Sequence, residues 1–351
     1  MIIDKRDICA LLDAIGRDEQ VYVPGSVAGV TQFVEHEPGV EPLLDVRTTK
    51  VPPKELLFPK AERLYRWKTH EGHLSIEQAD LASRPFTVFG MRPCDVASVE
   101  RLDQVFLTKG YVDEFYQARR QAATLVALAC ERTDPTCFCD SMGGSPTRAP
   151  GADVVLRDRG DSYRVQAQTE RGQRAMDAWR AAAPNAVRDD EPGEAPDAGD
   201  DARVACSLTV DMDGVAQAMP GLYESPMWDD IADTCVTCGT CTFVCPTCYC
   251  FDISQDTRAA EGSRYRCWDS CMFVTYTQMA GGHNPRADKA PRVRQRFMHK
   301  LSYFFDRYGE NLCVGCGRCI ADCPAGIDIT RVIDRVGAEA AAMRGEVAVD
   351  G

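Results

Sequence analysis

The chain has 351 residues, enough for two or three domains at ~150 residues each. Its 44% hydrophobic and 26% charged residues suit an ordinary folded protein, and a net charge of -13 argues against a grip on nucleic-acid phosphates or an anionic membrane surface. The anomaly is 18 cysteines: a chain this long builds cores without disulfide staples, so metal ligation accounts for them better.

At the N-terminus, Asp4, Lys5, Arg6 and Asp7 stand where an export signal needs a continuous apolar stretch. The longest apolar run, Ala122 to Cys130 broken only by Thr124, falls well short of the ~20 residues of a spanning helix. A cytoplasmic location without a membrane span, where thiols stay reduced, is the expectation. From Asp4 to about Arg180 short β-type runs alternate with helical ones, which predicts an α/β domain over 1–183. Its clearest unit is a strand at Pro85–Gly90, a loop ending at Cys94, and a helix from Asp95 with Val96, Val99, Leu102, Val105 and Phe106 at helical spacing. A buried strand is predicted at Thr124–Ala129, and a hairpin from Val154–Leu156 and Tyr163–Val165. Residues 184–203 hold seven acids and three prolines and read as an exposed linker.

The remaining segment, 204–351, is expected to be mainly helical. Twelve of the 18 cysteines lie between Cys235 and Cys323. Its two ends repeat one another: Cys235-Val-Thr-Cys238-Gly-Thr-Cys241-Thr-Phe-Val-Cys245-Pro246 and Cys313-Val-Gly-Cys316-Gly-Arg-Cys319-Ile-Ala-Asp-Cys323-Pro324. Three cysteines at two-residue gaps bring their thiolates to one side of a short turn, around one corner of a cubane. The fourth cysteine of such a run ligates the other cluster. Two [4Fe-4S] clusters are therefore expected, one on Cys235, Cys238, Cys241 and Cys323, the other on Cys313, Cys316, Cys319 and Cys245. Zinc sites also use C-x2-C pairs, but have no use for the third cysteine or the trailing proline. Between the copies, Val293, Phe297, Leu301, Phe304 and Tyr308 form an apolar helix stripe, and a second helix is predicted over Asp269–Met279. For Arg292, Arg294, Arg296 and Lys300 a solvated helix face is the plain reading; the sharper one is that they offset cluster charge or dock a partner.

Cys94, Cys130, Cys137 and Cys139 fall at the carboxyl ends of predicted strands, where an open α/β sheet gathers ligands, and are expected to hold a third [4Fe-4S] cluster; buried inert thiols are the alternative. Cys248, Cys250, Cys267 and Cys271 read as packing beside a cubane, Cys9 and Cys206 as structural, and His283 as a loop histidine. No dinucleotide fingerprint, phosphate loop or Ser/His/Asp arrangement appears, so no substrate site of the chain's own is expected.

The 67 residues between Cys245 and Cys313 exceed the connection of a compact bacterial ferredoxin, and the arrangement resembles the α-helical ferredoxin domains of multi-subunit reductases. The overall expectation is an α+β chain, an α/β domain followed by a helical dicluster domain. Phe89-Gly-Met-Arg-Pro-Cys-Asp95, Cys137-Phe-Cys-Asp-Ser-Met-Gly143, Cys245-Pro-Thr-Cys-Tyr-Cys-Phe-Asp252, Trp268-Asp-Ser-Cys-Met272, Gly282-His-Asn284 and Arg294-Gln-Arg-Phe-Met-His-Lys300 resemble the iron-sulfur β subunit of cytosolic sulfhydrogenases, the NAD(P)-linked [NiFe] hydrogenases, and the A-type iron-sulfur subunit of anaerobic sulfite reductase. The resemblance covers about residues 80 to 330. It implies an electron-transfer subunit that links a flavin/NAD(P)H-binding subunit with a catalytic subunit, [NiFe] hydrogenase or siroheme sulfite reductase. A terminal reductase using the N-terminal cysteines is the contrasting alternative.

Overall fold

Two stretches of alternating and continuous apolar residues set the architecture of the first half. In a computed structural model, which describes residues 1–81, 83–189, 204–343 and 345, the strands are β1 (Ile2–Asp4), β2 (Gln20–Val27), β3 (Val30–Glu35), β4 (Ala61–His70), β5 (His73–Gln78), β6 (Phe86–Met91), β7 (Ala123–Leu128), β8 (Val154–Asp158), β9 (Ser162–Ala167), β10 (Val187–Arg188), β11 (Phe251–Arg258) and β12 (Glu261–Trp268). Eight form one mixed sheet in the order β10-β1-β9-β8-β7-β6-β2-β3, parallel only from β2 through β8. The longer helices are α1 (Ile8–Ile15), α2 (Pro93–Leu107), α3 (Glu114–Ala122), α4 (Glu170–Ala182), α5 (Met227–Thr234), α6 (Lys289–Met298) and α7 (Ile329–Met343).

Strand periodicity splits the first core in two. Val126 and Leu128 of β7 face α1 and α4 with Leu11, Leu12 and Trp179, whereas Leu125 and Ala127 face α2 and α3 with Val99, Leu102 and Tyr116. Because β6 and β7 are covered on both faces they read as unbroken apolar runs. Helix α2 starts with Pro93 at its first position, and Asp113 caps α3 by accepting from the Tyr116 amide at 2.9 Å.

Three sequence expectations change. The segment read as a linker begins as structure: Ala186 is buried and Val187–Arg188 pair with β1, so the edge of the sheet extends into it; 190–203 lie outside the described residues. The second segment is not purely helical, because β11 and β12 form a hairpin that joins β4 and β5 in a four-stranded sheet, order β11-β12-β4-β5. This sheet is tied back by Arg266, whose guanidinium meets Glu62 at 2.5 Å and also Asp113. Asp269–Met279 forms only a short 3-10 turn at Val274–Thr277. Its central residues, Phe273 to Thr277, are all β-branched or aromatic, and the Ser270 hydroxyl accepts from the Met272 amide at 3.1 Å, which competes with helix bonding.

The third core belongs to the second segment, with Trp228, Phe297, Leu301, Val332 and Ile333, yet Phe138 and Met142 of the first segment enter it. At the same junction Arg318 forms a two-pronged pair with Asp95, 2.7 and 3.2 Å, and its Nε donates to the Thr49 carbonyl at 2.6 Å. Among the described residues no helix is long and apolar enough to cross a membrane.

Asp95→Ala would strand a buried guanidinium, and the iron-loaded chain should lose about 3–5 kcal/mol of stability in guanidinium unfolding. Glu261→Ala, which breaks an exposed pair with Lys68, should cost at most about 1 kcal/mol.

Candidate iron-sulfur centres

The two sequence repeats fold into the same local path. Thr237 and Gly315, at matching places, both have positive φ, +54° and +65°. Gly239 and Gly317 follow at +76° and +74°, each opening a one-turn helix, Thr240–Phe243 and Arg318–Ala321, that carries the third cysteine. Amides point at sulfur: in the first turn Thr237 N lies 3.4 Å from Cys235 Sγ, and beyond the second copy Ile327 N lies 3.2 Å from Cys323 Sγ.

Two thiol-lined cavities result. Cys235, Cys238, Cys241, Cys319 and Cys323 line the first, together with Arg296 and Phe297. Cys245, Cys313, Cys316 and Cys319 line the second, together with Lys300 and Phe138. Cys319 is thus common to both walls. Cys238 is exposed, whereas Cys245, Cys313 and Cys316 are buried.

The charges around these thiols suit an anionic metal cluster. Arg292, Arg296 and Lys300 are all buried, so the solvated helix face is overturned for these three. Lys300 Nζ donates to Cys245 Sγ at 3.1 Å and Thr247 Oγ1 at 3.0 Å. Burial works against its charge, but the sulfurs of Cys245 and Cys248 outweigh it and hold the pKa well above the usual lysine value. Arg296 behaves alike: burial opposes the cation, Cys241 and Cys319 sustain it, and its Nε has no hydrogen-bond partner among the described residues. Lys54, buried from the other side, donates to the Cys248 carbonyl at 2.8 Å and lies over the Trp268 ring at 3.9 Å; burial pulls its pKa down to about 8. Burial also pushes Cys313 up to about 12 and Cys316 to about 11. Such thiols ionise when a metal takes them, and the cations then face thiolates.

The N-terminal group gathers too. Cys94 sits in the first turn of α2, Cys130 follows β7, and Cys137 and Cys139 lie in the next loop. Cys94 neighbours Cys130 and Cys316 of the second cavity, and burial pushes its pKa well above the usual thiol value. A fifth thiol joins them: Cys206 Sγ is 3.6 Å from Cys139 Sγ, and its amide donates to Asp140 at 3.0 Å. Reading Cys206 as merely structural missed this, and nothing in its spacing signals it, because the chain returns here from a distant segment.

This group abuts the second cavity. Phe138 N donates to the Gly315 carbonyl at 2.9 Å. A Cβ on Gly315 would stand 2.5 Å from the Phe138 oxygen, and one on Gly317 2.3 Å from the Thr136 oxygen. Both positions therefore need glycine twice over, for φ and for space.

Of the other cysteines, all free thiols, Cys248 neighbours Cys245 and Cys271 neighbours Cys250 and Cys241, on the side of the first motif, whereas Cys267 lies on β12 among Asp252 and Asp269. Cys9, Asp13 and His36 also cluster, but Asp13 accepts from Gly39 N at 3.1 Å and meets His36 Nε2 at 2.7 Å, so the group reads as a loop clasp. His283 is exposed in its loop.

Comparison with known proteins agrees with the donor chemistry. Residues 234–327 match the family described as a 4Fe-4S dicluster domain. Over 330 residues the chain is 31% identical to sulfhydrogenase 2 subunit beta of Pyrococcus furiosus, covering 93% of each. No solved structure matches the chain.

Lys300→Met removes a buried cation next to sulfur, which penalises the more negative reduced state. The midpoint potential of the neighbouring centre should fall by about 60 mV or more, a tenfold shift in a one-electron equilibrium, in a titration followed by paramagnetic resonance.

Proposed function

The chain belongs to the family of sulfhydrogenase β subunits, and from that premise we propose that it is an electron-transfer subunit of a cytoplasmic multi-subunit oxidoreductase. By relaying single electrons it links a flavin/NAD(P)H-binding subunit with a catalytic subunit of the [NiFe] hydrogenase kind. The observation that carries this reading is the continuity of the thiol groups: Cys319 lines two cavities at once, and the Phe138 amide, between Cys137 and Cys139, donates to the Gly315 carbonyl of the second motif at 2.9 Å.

In this reading Cys235, Cys238, Cys241 and Cys323 hold one [4Fe-4S] cluster, Cys313, Cys316, Cys319 and Cys245 a second, and Cys94, Cys130, Cys137 and Cys139 a third. Each such cluster supplies a one-electron site. The chain's own residues do the rest. Lys300 and Arg296 offset the charge of the first two thiolate sets, Arg318 stands near Cys94 and Cys316, and the exposed Cys238 leaves one end of the series at the surface. Residues 1–183, extended by the strand at Val187–Arg188, then form the domain holding the N-terminal centre, and 204–351 the dicluster domain.

A hydride donor delivers two electrons together, so the flavin that splits the pair is assigned to the partner subunit. The anaerobically purified chain should carry about twelve irons, three cubanes of four. It should accept electrons from reduced viologen but not from NADH or NADPH. In the assembled complex, Cys316→Ser should abolish pyridine-nucleotide-linked turnover while viologen-linked activity at the catalytic subunit persists. Direct oxidation of NAD(P)H by the isolated chain would overturn the relay.

A further inference from the structure

The N-terminal thiol group has five members, and the last of them, Cys206, arrives from 67 residues beyond Cys139. Four hydrogen bonds tie its segment to the loop that carries Cys137 and Cys139. Thr133 Oγ1 donates to the Ala205 carbonyl at 3.1 Å, and the Cys206 amide donates to Asp140 Oδ2 at 3.0 Å. The Leu208 amide donates to the Cys137 carbonyl at 3.2 Å, and the Val210 amide to Ser141 Oγ at 3.1 Å. Val210 is buried in the same core as Phe138 and Met142, so packing anchors the segment as well. The place of Cys206 against the loop is therefore set on both sides of its own residue.

The surroundings of that thiol are largely sulfur. Cys139 Sγ is 3.6 Å away, and Cys130 and Cys137 also neighbour it, while Cys94 neighbours Cys130 and Cys139. A cubane offers one outward position on each of its four irons, so one of five thiols is left over unless two share a metal atom. Distance identifies the pair that shares. Two sulfurs bonded at about 2.3 Å to one tetrahedral metal stand about 3.8 Å apart. Thiolates on different irons stand farther apart, because a metal–metal vector lies between them. At 3.6 Å, Cys139 and Cys206 have the one-metal spacing. A thiol–thiol hydrogen bond spans the same distance, yet S–H is a weak donor, and that bond accounts for one pair and not for the convergence of five thiols.

We propose that Cys206 is a fifth thiolate ligand of the third centre, on the same iron as Cys139. The bond formed joins iron to the Cys206 sulfur; the thiol proton leaves to solvent, which this half-buried residue reaches, and no electron is transferred. One iron then differs from the other three in its ligands, and either Cys139 or Cys206 holds it when the other is lost. The proposal rests on the relay reading only in taking the N-terminal cysteines as ligands of an iron-sulfur centre.

The test uses the anaerobic, iron-counted full chain. Iodoacetamide should label Cys9 and Cys267 but not Cys206, and all three once a chelator has stripped the iron, as read by peptide mass spectrometry. Cys206→Ala and Cys139→Ala should each retain about twelve irons, because the other sulfur stays on the shared metal, and each should alter the paramagnetic and Mössbauer signals of the third centre. The double variant should fall to about eight irons, with the signals of the two dicluster centres kept as the measure of intact folding. An unaltered third signal in Cys206→Ala, labelling of Cys206 at the rate of Cys9 in the iron-loaded chain, or a Cys139–Cys206 disulfide there overturns the proposal. So does a fall to about eight irons in either single variant, or about twelve irons in the double one. A chain with about twelve irons whose Cys206 is freely labelled loses the fifth ligand and keeps the relay; an unaltered chain with about eight loses the third centre itself, and the fifth ligand with it.

Discussion

The buried pair between Arg318 and Asp95 is the constraint on which the arrangement of the cysteines depends. Its two residues are 2% and 1% exposed, so each charge would be intolerable without the other. Asp95 follows Cys94 on α2, and Arg318 lies between Cys316 and Cys319, so one ion pair sets the spacing between an N-terminal thiol and the second motif. A hydrophobic pair of equal volume would bury as well but would tolerate sliding. The two-pronged geometry, with the Thr49 carbonyl accepting from Nε, allows one register. Glycines at 315 and 317 then let the loop of Thr136–Cys139 settle at backbone contact distance.

The second constraint is charge. An acidic chain places four of its cations, Lys54, Arg296, Lys300 and Arg318, in its interior beside cysteine. Arg318 has a carboxylate partner; the others face sulfur, carbonyls or aromatic rings. Burying such groups against neutral thiols would be costly. Against ionised sulfur the same burial is favourable, because each cation sees negative charge at short range in a medium that screens it poorly. The helix bearing Arg296 and Lys300 has its apolar stripe satisfied by Phe297, Leu301 and Phe304, and with the cluster ligands proposed above its cations would be satisfied only on metal loading, which would link the fold of the second segment to iron.

What the sequence made legible follows from the range of each interaction. The strands at 86–91 and 123–128, helix α2 and the β8–β9 hairpin depend on local periodicity and were readable. The repeated motif was readable because its spacing fixes a turn. The β4–β12 pairing joins residues some two hundred apart and leaves no local trace. Arg296 and Lys300 were misjudged because charge was weighed above position: they fall three residues after Val293 and Phe297, on the buried stripe itself. The turn-rich 269–279 stretch carried apolar residues without helix propensity. Cys206 had no signal, since only the return of the chain past 203 brings it to Cys139.

The two repeats also show how one backbone serves two environments. Thr237 occupies the place of Gly315 and holds a positive φ at some conformational cost, in a turn that is half-exposed. Neighbouring Val236 is 61% exposed and Cys238 is exposed, so the first motif lies at the surface. In the second copy the loop carrying Phe138 covers the turn, Thr becomes Gly, and Cys313 and Cys316 are buried. Duplication supplies two equivalent sulfur turns, and covering just one makes them inequivalent in solvent access and in neighbouring charge. Since exposure and nearby cations both tune a cluster's potential, the covered and open copies are set apart in energy by the same packing that joins the two segments.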